Sequence, residues 1–284
     1  MSKTGLFVGM IALDLVYLAT KLPTSNQKIV ASEYTIAAGG PATNAAVTFN
    51  HLGNQAEIVG VVGIHPITHL IRSDLANYGV KIADLNPTQT EPPPIASIIV
   101  TQATGSRAVV SIAAPKIEDS QLLSEINFQS DIILIDGHQI SAGYAIAQWA
   151  KKHHIPVVID GGSWKPGFEK ILPLVDYAIC SANFYPPNCH NSTEVIAYLA
   201  ALGIPHIAIT QDEKPILYSS RGVCSQLAVP AIDPVDTMGA GDVFHGAFCH
   251  YILQHDFKDA LTAATKIASH SCQFFGTRQW MRQG

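Results

Sequence analysis

Four short apolar runs in the middle of the chain constrain the fold most. They are DIILID at 131–136, PVVID at 156–160, DYAIC at 176–180 and HIAIT at 206–210. Each run is continuous rather than alternating, which is typical of strands that are buried on both faces. Helical patterns separate the runs, at 141–153, 166–174 and 191–202. Repeated strand–helix units of this kind predict an open, mostly parallel sheet covered by helices.

The two ends of the chain continue the alternation. Further strands are predicted at 5–12 (GLFVGMIA) and 56–63 (AEIVGVVG). Further helices are predicted at 41–53, 66–79, 240–252 and 257–272. In the segment 240–252, apolar residues recur at i, i+3, i+4 and i+7, which indicates an amphipathic helix with one buried face. The helix at 191–202 has boundary signals of its own, because Asn191 can cap its start and Gly203 follows its end.

Two segments interrupt this alternation because they carry strand patterns without a helix. Residues 15–38 link the first strand to the first strong helix, and residues 94–113 read as two strands around the turn TGSR. We expect both segments to form a small extra sheet, a lid inserted into a single α/β domain that spans residues 1–284. The exposed edges of such a sheet favour a homodimer in which the lid of a partner covers them.

Composition narrows the class of protein. Of the 284 residues, 48% are hydrophobic and only 14% are charged, so a large buried core is expected. The formal net charge of −5 offers no basic surface for nucleic acid or for an anionic membrane. No segment approaches the roughly 20 apolar residues that a membrane-spanning helix needs. The five cysteines are scattered without a CxxC pair, which indicates reduced thiols in a cytoplasmic protein.

The segment DTMGAGDVFHGAF at 236–248 places glycines and an acid where a helix begins. The first N–H groups of a helix lack partners within it, and the helix dipole adds partial positive charge there. Because Gly239 and Gly241 have no side chains, an anion such as phosphate can approach this backbone closely. Asp242 would then take a proton from a nucleophile that attacks phosphorus. The structural alternative is that Asp242 only complements the helix dipole, beside a tight glycine turn.

A second group of residues lies near the N-terminus, in ALD at 12–14 and AAGGPATNAA at 37–46. Asn44 lies in the first turn of a predicted helix, and Asp14 follows the first strand, where ligands of open α/β sheets bind. A carboxylate that accepts hydrogen bonds and an amide that donates and accepts can together hold a diol. Taken singly, Asp14 is also explained as a strand-end cap, and Asn44 as part of a polar helix surface.

Together, GGPATN and DTMGAGDVFHGAF resemble the two signatures of the ribokinase-like (PfkB) carbohydrate kinases. The resemblance covers essentially the whole chain. Within the family, TGSRAVV, IPVVIDGGSWKP and GAGDVFHGAF look most like the ketohexokinase and sulfofructose kinase branch. The resemblance implies a ribokinase-like α/β fold and ATP-dependent transfer of the γ-phosphoryl group to a primary hydroxyl of a sugar, either a ketose or a sugar derivative.

The resemblance also implies roles for particular residues. Asp242 would be the catalytic base, and the N–H groups of Gly239, Ala240 and Gly241 would form the anion hole. The candidates for substrate binding are Asp14, Asn26, Lys28, Gly39, Gly40, Asn44 and Arg107. The candidates for nucleotide binding are Asn183, Thr210, Thr237 and Gly241. The implied cofactors are ATP and Mg²⁺, with a monovalent cation as a further candidate, and Mg²⁺ would be carried by the phosphates of ATP.

Four positions depart from the pattern of the family, and on the sugar side Pro41 stands where ketohexokinase-like members often have a polar residue. Pro186 stands where many members have the glutamate of an Asn-x-x-Glu motif that serves the Mg²⁺–phosphate network. Asp212 and Pro215 stand at the glycine positions of the nucleotide loop. These departures motivate one alternative, a sugar- or nucleotide-binding sensor with weak catalysis. A second alternative is a nucleoside kinase of the same fold, for which the lid offers only Tyr17 and Tyr34 as stacking residues.

Overall fold

The structure is a computed structural model that describes residues 2–113, 115 and 129–282. In chain order the strands are β1 (Thr4–Val8), β2 (Ala12–Ala19), β3 (Glu33–Gly39), β4 (Gln55–Gly60), β5 (Lys81–Asp84), β6 (Ile95–Thr101), β7 (Arg107–Ser111), β8 (Ile132–Ile135), β9 (Val157–Gly161), β10 (Tyr177–Ser181), β11 (His206–Gln211), β12 (Lys214–Ser220) and β13 (Val223–Leu227). The α-helices are α1 (Pro41–His51), α2 (Thr68–Asn77), α3 (Ile140–Lys152), α4 (Phe168–Ile171), α5 (Ser192–Ala201), α6 (Ala240–Ile252) and α7 (Phe257–Ser271). Short 3₁₀ segments cover Leu172–Leu174 and Gln279–Arg282.

The strands form two sheets. The larger sheet has the order β13-β12-β11-β10-β9-β8-β1-β4-β5, and the smaller one has the order β3-β2-β6-β7. In the larger sheet all neighbouring strands from β11 to β5 are parallel, whereas β12 and β13 add an antiparallel edge. The smaller sheet is built from the two segments predicted to form the lid. The predicted fold class, an open and mostly parallel sheet flanked by helices with a small lid sheet, is confirmed.

Helices cover both faces of the larger sheet because successive residues of a strand point to opposite sides. In β1, Phe7 belongs to an apolar cluster shared with α1, α2, α6 and α7, whereas Leu6 and Val8 belong to a cluster shared with α3, α4 and α5. A third, smaller cluster joins the lid sheet to Phe275. Within the described parts of the chain, no helix has the length and apolar character needed to cross a membrane.

The strand predicted at 5–12 is shorter in the structure, because β1 ends at Val8. Gly9 packs against the Asp136 carboxylate so closely that a side chain would overlap with it. The same carboxylate accepts a hydrogen bond of 2.9 Å from the N–H of Met10. These contacts turn the chain into the lid strand β2. Asp14 therefore lies within the lid sheet, and the prediction that it follows a strand of the main sheet is wrong.

Two predicted helices show how local signals set helix boundaries. The helix predicted at 166–174 forms only the single turn α4 and a 3₁₀ segment, because Pro173 has no N–H to continue the α-helical pattern. The helix predicted at 191–202 is confirmed as α5. The Asn191 side chain accepts a hydrogen bond of 3.0 Å from the N–H of Glu194, as a capping residue does.

Candidate active site

The start of α6 is open to an anion. Gly239 precedes the helix with a φ of 70°, in the left-handed region that favours glycine, and a Cβ there would lie 2.7 Å from Cγ2 of Thr277. A Cβ on the exposed Gly241 would meet nothing within 4 Å. The N–H of Ala240 makes only a long hydrogen bond, 3.4 Å, to the carbonyl of Thr237. The first turn of α6 therefore gives a ligand access to backbone N–H groups.

The two acids of the 236–248 motif have different surroundings. Asp236 is buried, and its carboxylate accepts hydrogen bonds from the N–H groups of Met238 at 2.8 Å and Gly276 at 2.9 Å. These bonds tie the loop before α6 to the C-terminal segment. Asp242, by contrast, accepts from a side chain, because Nδ2 of Asn44 donates to its Oδ2 at 2.8 Å. This bond joins the two segments that the sequence singled out, which are 198 positions apart.

The environment of Asp242 raises its pKa from 3.8 to about 7. Burial is the largest cause, because it disfavours the charged form, and the negative charge of Asp160 is the second. The hydrogen bond from Asn44 and the charge of His245 act in the opposite direction, and Asp14 adds a further small increase. Asp242 is thus a carboxyl group whose proton affinity matches neutral pH, as an effective general base requires.

A buried acid–imidazole pair lies beneath the start of α6. Nδ1 of His245 lies 3.5 Å from Oδ2 of Asp160 and 2.7 Å from the carbonyl oxygen of Gly241. Nε2 of His245 lies 3.1 Å from the carbonyl oxygen of Ile179. Both ring nitrogens therefore face oxygen atoms of neighbouring groups. The pair thus holds the first turn of α6 against β9 and β10.

Asp14 faces the same site from the lid. It is buried, and the backbone of Gly39 lies so close to its carboxylate that any side chain at Gly39 would overlap with it. Gly40 follows with a φ of 104° and precedes the first turn of α1, which carries Asn44. Burial raises the pKa of Asp14 to about 6, and the charge of Arg278 partly opposes this rise. The glycine pair thus brings the carboxylate of Asp14 and the start of α1 together.

Arg278 lies in the wall of this site, although it was not among the residues predicted from the sequence. It is 6% exposed, and its Nη1 donates to Oδ1 of Asn44 at 2.9 Å. Its guanidinium also lies 5.4 Å from the centre of the Tyr78 ring. The sequence signal for this residue is an arginine within the apolar C-terminal segment FFGTRQW. Such a segment is expected to be buried, and a buried charge requires hydrogen-bonding or charged partners.

The lid residues predicted to bind substrate have different positions. Nη1 of Arg107 lies 3.2 Å from both the carbonyl oxygen and Oγ1 of Thr237, so this side chain links the lid to the loop before α6. Thr237 also donates from Oγ1 to the carbonyl of Gly105 at 3.3 Å. Asn26 and Lys28 lie in the exposed loop between β2 and β3, and Asn26 has a φ of 58°. The structure shows neither of them bonded to the Asp242 cluster within the chain that it describes.

Two of the predicted nucleotide-binding residues, Asn183 and Thr210, lie at the carboxyl ends of parallel strands in the larger sheet. Thr210 pairs with Ser181 across β10 and β11, and Asn183 follows in an exposed turn. Because β9, β10 and β11 are parallel, their carboxyl ends lie on the same side of the sheet, and β9 carries Asp160. The next segment is a tight hairpin, in which Gln211 pairs with the residue three positions later. Asp212 forms its turn with a φ of 53°, so this residue adopts a conformation that is more typical of glycine.

Over residues 2–113, 115 and 129–282, no group of three or more His, Cys, Asp or Glu residues is arranged to hold a metal ion. Asp14 and Asp242 are separate carboxylates with raised pKa values, which are poor ligands for a hard cation while they are protonated. The open N–H groups of α6, in contrast, suit the oxygen atoms of a phosphate.

Comparisons with known proteins concern the family and the fold of the chain. Residues 4–282 match the family model described as pfkB family carbohydrate kinase. Ribokinase of Bacillus subtilis (strain 168) is 26% identical and covers 96% of this chain and 94% of its own. Deoxyribokinase of Salmonella typhi is 24% identical, with coverages of 95% and 93%. A structure of Arabidopsis thaliana ribokinase complexed with ribose and ATP has a TM-score of 0.76 at 20% identity and covers 100% of both chains. The closer resemblance to the ketohexokinase and sulfofructose kinase branch stays a prediction.

Proposed function

This chain belongs to the pfkB family of carbohydrate kinases, and we propose that it transfers the γ-phosphoryl group of ATP to a primary hydroxyl of a sugar. The observation that carries the proposal is the hydrogen bond of 2.8 Å between Asn44 and Asp242. This bond places the amide of Asn44, which can bind sugar hydroxyls, next to the carboxyl group of Asp242 in the first turn of α6. A carboxylate beside a phosphate site is repulsive unless it accepts a proton, which is what a kinase base does.

The proposed roles follow from the position of each group. Asp242 takes the proton of the sugar hydroxyl while that oxygen bonds to the γ-phosphorus, and the bond from the γ-phosphorus to the bridging oxygen of ADP breaks. The N–H groups of Gly239, Ala240 and Gly241 would stabilise the negative charge on the transferring phosphoryl group. Mg²⁺ would neutralise the negative charge of the phosphates. We infer that the phosphates of ATP would carry this ion, because the described residues include no cluster of three or more His, Cys, Asp or Glu ligands.

The sugar is proposed to lie between the lid and α1. Asp14 can accept hydrogen bonds from sugar hydroxyls, Asn44 can donate to them, and the backbone at Gly39 and Gly40 allows close approach. Arg107 is proposed to couple lid closure to the loop before α6 through its contacts with Thr237. The acceptor is proposed to be a furanose-forming sugar. The relatives named ribokinase and deoxyribokinase favour a pentose, whereas the lid sequence TGSRAVV favours a ketose.

The lid geometry disfavours a nucleoside acceptor. Tyr17 lies three positions after Asp14 in β2, so alternation places its ring on the face opposite to the Asp14 carboxylate. Tyr34 pairs directly with Tyr17 across β2 and β3 and shares its face. Neither ring is therefore positioned to stack on a base next to the sugar.

The same outer face of the lid supports the proposed homodimer. Its exposed apolar residues are Tyr17, Tyr34, Ile36 and Val110. Within the described part of the chain, the edge strands β3 and β7 each pair on one side only and so leave backbone groups of the small sheet unpaired. We expect light scattering to show a dimer, and Tyr34→Arg combined with Val110→Arg to shift it toward the monomer. A monomeric mass for the wild-type protein at assay concentration would contradict this proposal.

A direct screen tests the kinase function. The protein would be incubated with Mg²⁺–ATP and ribose, deoxyribose, fructose, phosphosugars or nucleosides, and released ADP would be quantified. Asp242→Asn should lower turnover by about 10²- to 10⁴-fold, the range of general-base catalysis, while sugar binding measured by calorimetry persists. Asp233→Asn is the matched control, because Asp233 is exposed in the loop before the motif. Sugar binding without ADP release would favour the sensor, and equal turnover in Asp242→Asn would exclude the base assignment.

A further inference from the structure

Arg278 is a buried charge to which the proposed function gives no role. Its guanidinium contacts three separate segments, since Nη1 donates to Oδ1 of Asn44 at 2.9 Å, and Nη2 donates to the carbonyl of Ala38 at 2.7 Å and lies 3.3 Å from Oδ2 of Asp74. Its Nε–H has no partner among the residues that the structure describes. A guanidinium with an unsatisfied donor is an unfavourable way to fill a core, so its contacts call for a functional reason.

The amide of Asn44 has one orientation that satisfies both of its neighbours. Its oxygen faces the donors of Arg278, and its NH₂ group faces the carboxylate of Asp242. The reversed amide would set its N–H groups against the guanidinium and its oxygen against the carboxylate, and both contacts would then be repulsive. Arg278 therefore selects the orientation in which Asn44 donates to Asp242.

We propose that Arg278 is a positioning residue, which holds Oδ1 of Asn44 so that the amide N–H fixes the Asp242 carboxylate for proton transfer. This inference rests on the proposed function, in which Asp242 is the base. The second N–H of Asn44 then remains available, so this residue presents a donor to a sugar hydroxyl. Arg278 acts through Asn44 and does not itself touch Asp242.

Arg278 is itself held in place from α2 and β3. Oδ2 of Asp74 accepts from the N–H of Ala38 at 2.9 Å as well as facing the guanidinium, so the lid strand, the helix and the arginine form one connected network. Removing the arginine would free the Asn44 amide and leave the Asp74 carboxylate without its cationic partner.

The groups that face Asp242 determine how its titration reports on this network. They are Asn44 on α1, Asp160 on β9, His245 on α6 and Asp14 on β2. The charge of Arg278 acts directly on Asp14, whose pKa it lowers. An effect of Arg278 on Asp14 is therefore electrostatic, whereas an effect on Asp242 passes largely through the Asn44 amide.

The test is a carbon-13 NMR titration of the aspartate carboxyl groups, with Asp242→Asn and Asp14→Asn used to assign the signals. The variants are Arg278→Met, Arg278→Lys, Asn44→Ala and the double variant Asn44→Ala/Arg278→Met. Arg72→Met is the matched control, because it removes an arginine of α2 itself, whose Nη2 forms an ion pair with Oδ2 of Asp84 at 2.8 Å. The readout needs no turnover, so it stands whether or not the ADP screen finds a substrate.

We expect Arg278→Met to raise the pKa of Asp242 by about half a unit or more, and Arg72→Met to leave it unchanged. Arg278→Lys should keep the pKa of Asp14 near its wild-type value, because the charge remains, but should not restore that of Asp242, because an ammonium lacks the planar fork. In the Asn44→Ala background, most of the shift caused by Arg278→Met should disappear. With a substrate in hand, kcat should fall about tenfold or more and the acid limb of the pH profile should move with the NMR titration.

An unchanged pKa of Asp242 in Arg278→Met would overturn the proposal. So would a shift that persists in full in the Asn44→Ala background, since this would show a direct effect of charge. If Arg278→Met does not fold, Asp74→Asn provides the second variant, because it releases the guanidinium from α2 without removing it. We then expect a smaller rise in the pKa of Asp242, and the absence of any rise would equally refute the role of the network.

Discussion

The pH dependence of turnover follows directly from the surroundings of Asp242. Burial and the charge of Asp160 raise its pKa from 3.8 to about 7. A base must be ionised to accept a proton, so kcat/KM is expected to follow the ionised fraction. With a pKa of about 7, this fraction falls from about 90% at pH 8 to about 10% at pH 6, a loss of about tenfold. A carboxyl group with an ordinary pKa would remain almost fully ionised over this range.

Asp14 adds a second step at lower pH. Its pKa of about 6 means that about half of its carboxyl groups are protonated at pH 6, which would weaken sugar binding. The combined loss of kcat/KM between pH 8 and pH 6 is then about twentyfold, and the slope of its logarithm steepens from 1 toward 2 below pH 6. Asp14→Asn should remove the lower step and leave the upper one.

The assay is direct quantification of ADP at saturating Mg²⁺–ATP, with the sugar concentration varied at each pH. Saturation with the nucleotide is checked at every pH because phosphate groups titrate near pH 6. Asp233→Asn serves as the control and should reproduce the wild-type profile. A kcat/KM that stays constant between pH 8 and pH 6 would refute the reasoning, because it would mean that no group with a raised pKa has to be ionised for turnover.

Three further predictions concern the stability of the site and of helix α5. Because the folded-state pKa of Asp14 is raised to about 6, its contribution to stability is present below pH 4 and is lost as the pH rises through 6. Asp14→Asn should therefore raise the free energy of unfolding in urea by up to about 3 kcal/mol at pH 8, and by far less at pH 4. Gly239→Ala should destabilise the loop by about 1 kcal/mol or more and lower turnover, because φ is 70° and the new Cβ would lie 2.7 Å from Thr277, and an unchanged melting temperature would contradict this expectation. Asn191→Ala should cost about 1 kcal/mol by removing the 3.0 Å cap to Glu194, with kcat unchanged, and a loss of activity without a loss of stability would count against a purely structural cap.

The parts of the fold that were predictable have local signals. The bounds of α6 agree with the predicted segment 240–252, because an amphipathic pattern follows directly on a glycine start. The buried strands β8 to β11 were visible as continuous apolar runs. The edge strands β12 and β13 were not predicted, because they lie at the margin of the sheet and β13 is largely exposed, so their sequences lack a continuous apolar pattern.

The parts that were not predictable depend on contacts between distant segments. The end of β1 is set by Asp136, which lies 126 positions from its partner Met10. The role of Arg278 is invisible in its own segment, because its partner Asn44 lies 234 positions away. In both cases one polar side chain in an apolar segment is the only local sign, and its partner becomes known only when the chain is folded.

The groups around Asp242 shift its pKa in opposite directions, and a kinase base has a use for both effects. A base next to phosphates needs a high proton affinity, which burial and the neighbouring acids Asp14 and Asp160 supply, yet it must still be ionised when the hydroxyl arrives. The N–H of Asn44 and the charge of His245 favour the ionised form and so limit the rise of the pKa. Phosphate charge at the start of α6 would raise the proton affinity of Asp242 further, so the hydrogen bond from Asn44 and the charge of His245 matter most once ATP is bound. Without the hydrogen bond from Asn44 the pKa of Asp242 would be higher still, which is why the orientation of one amide affects how readily this carboxyl group acts as a base.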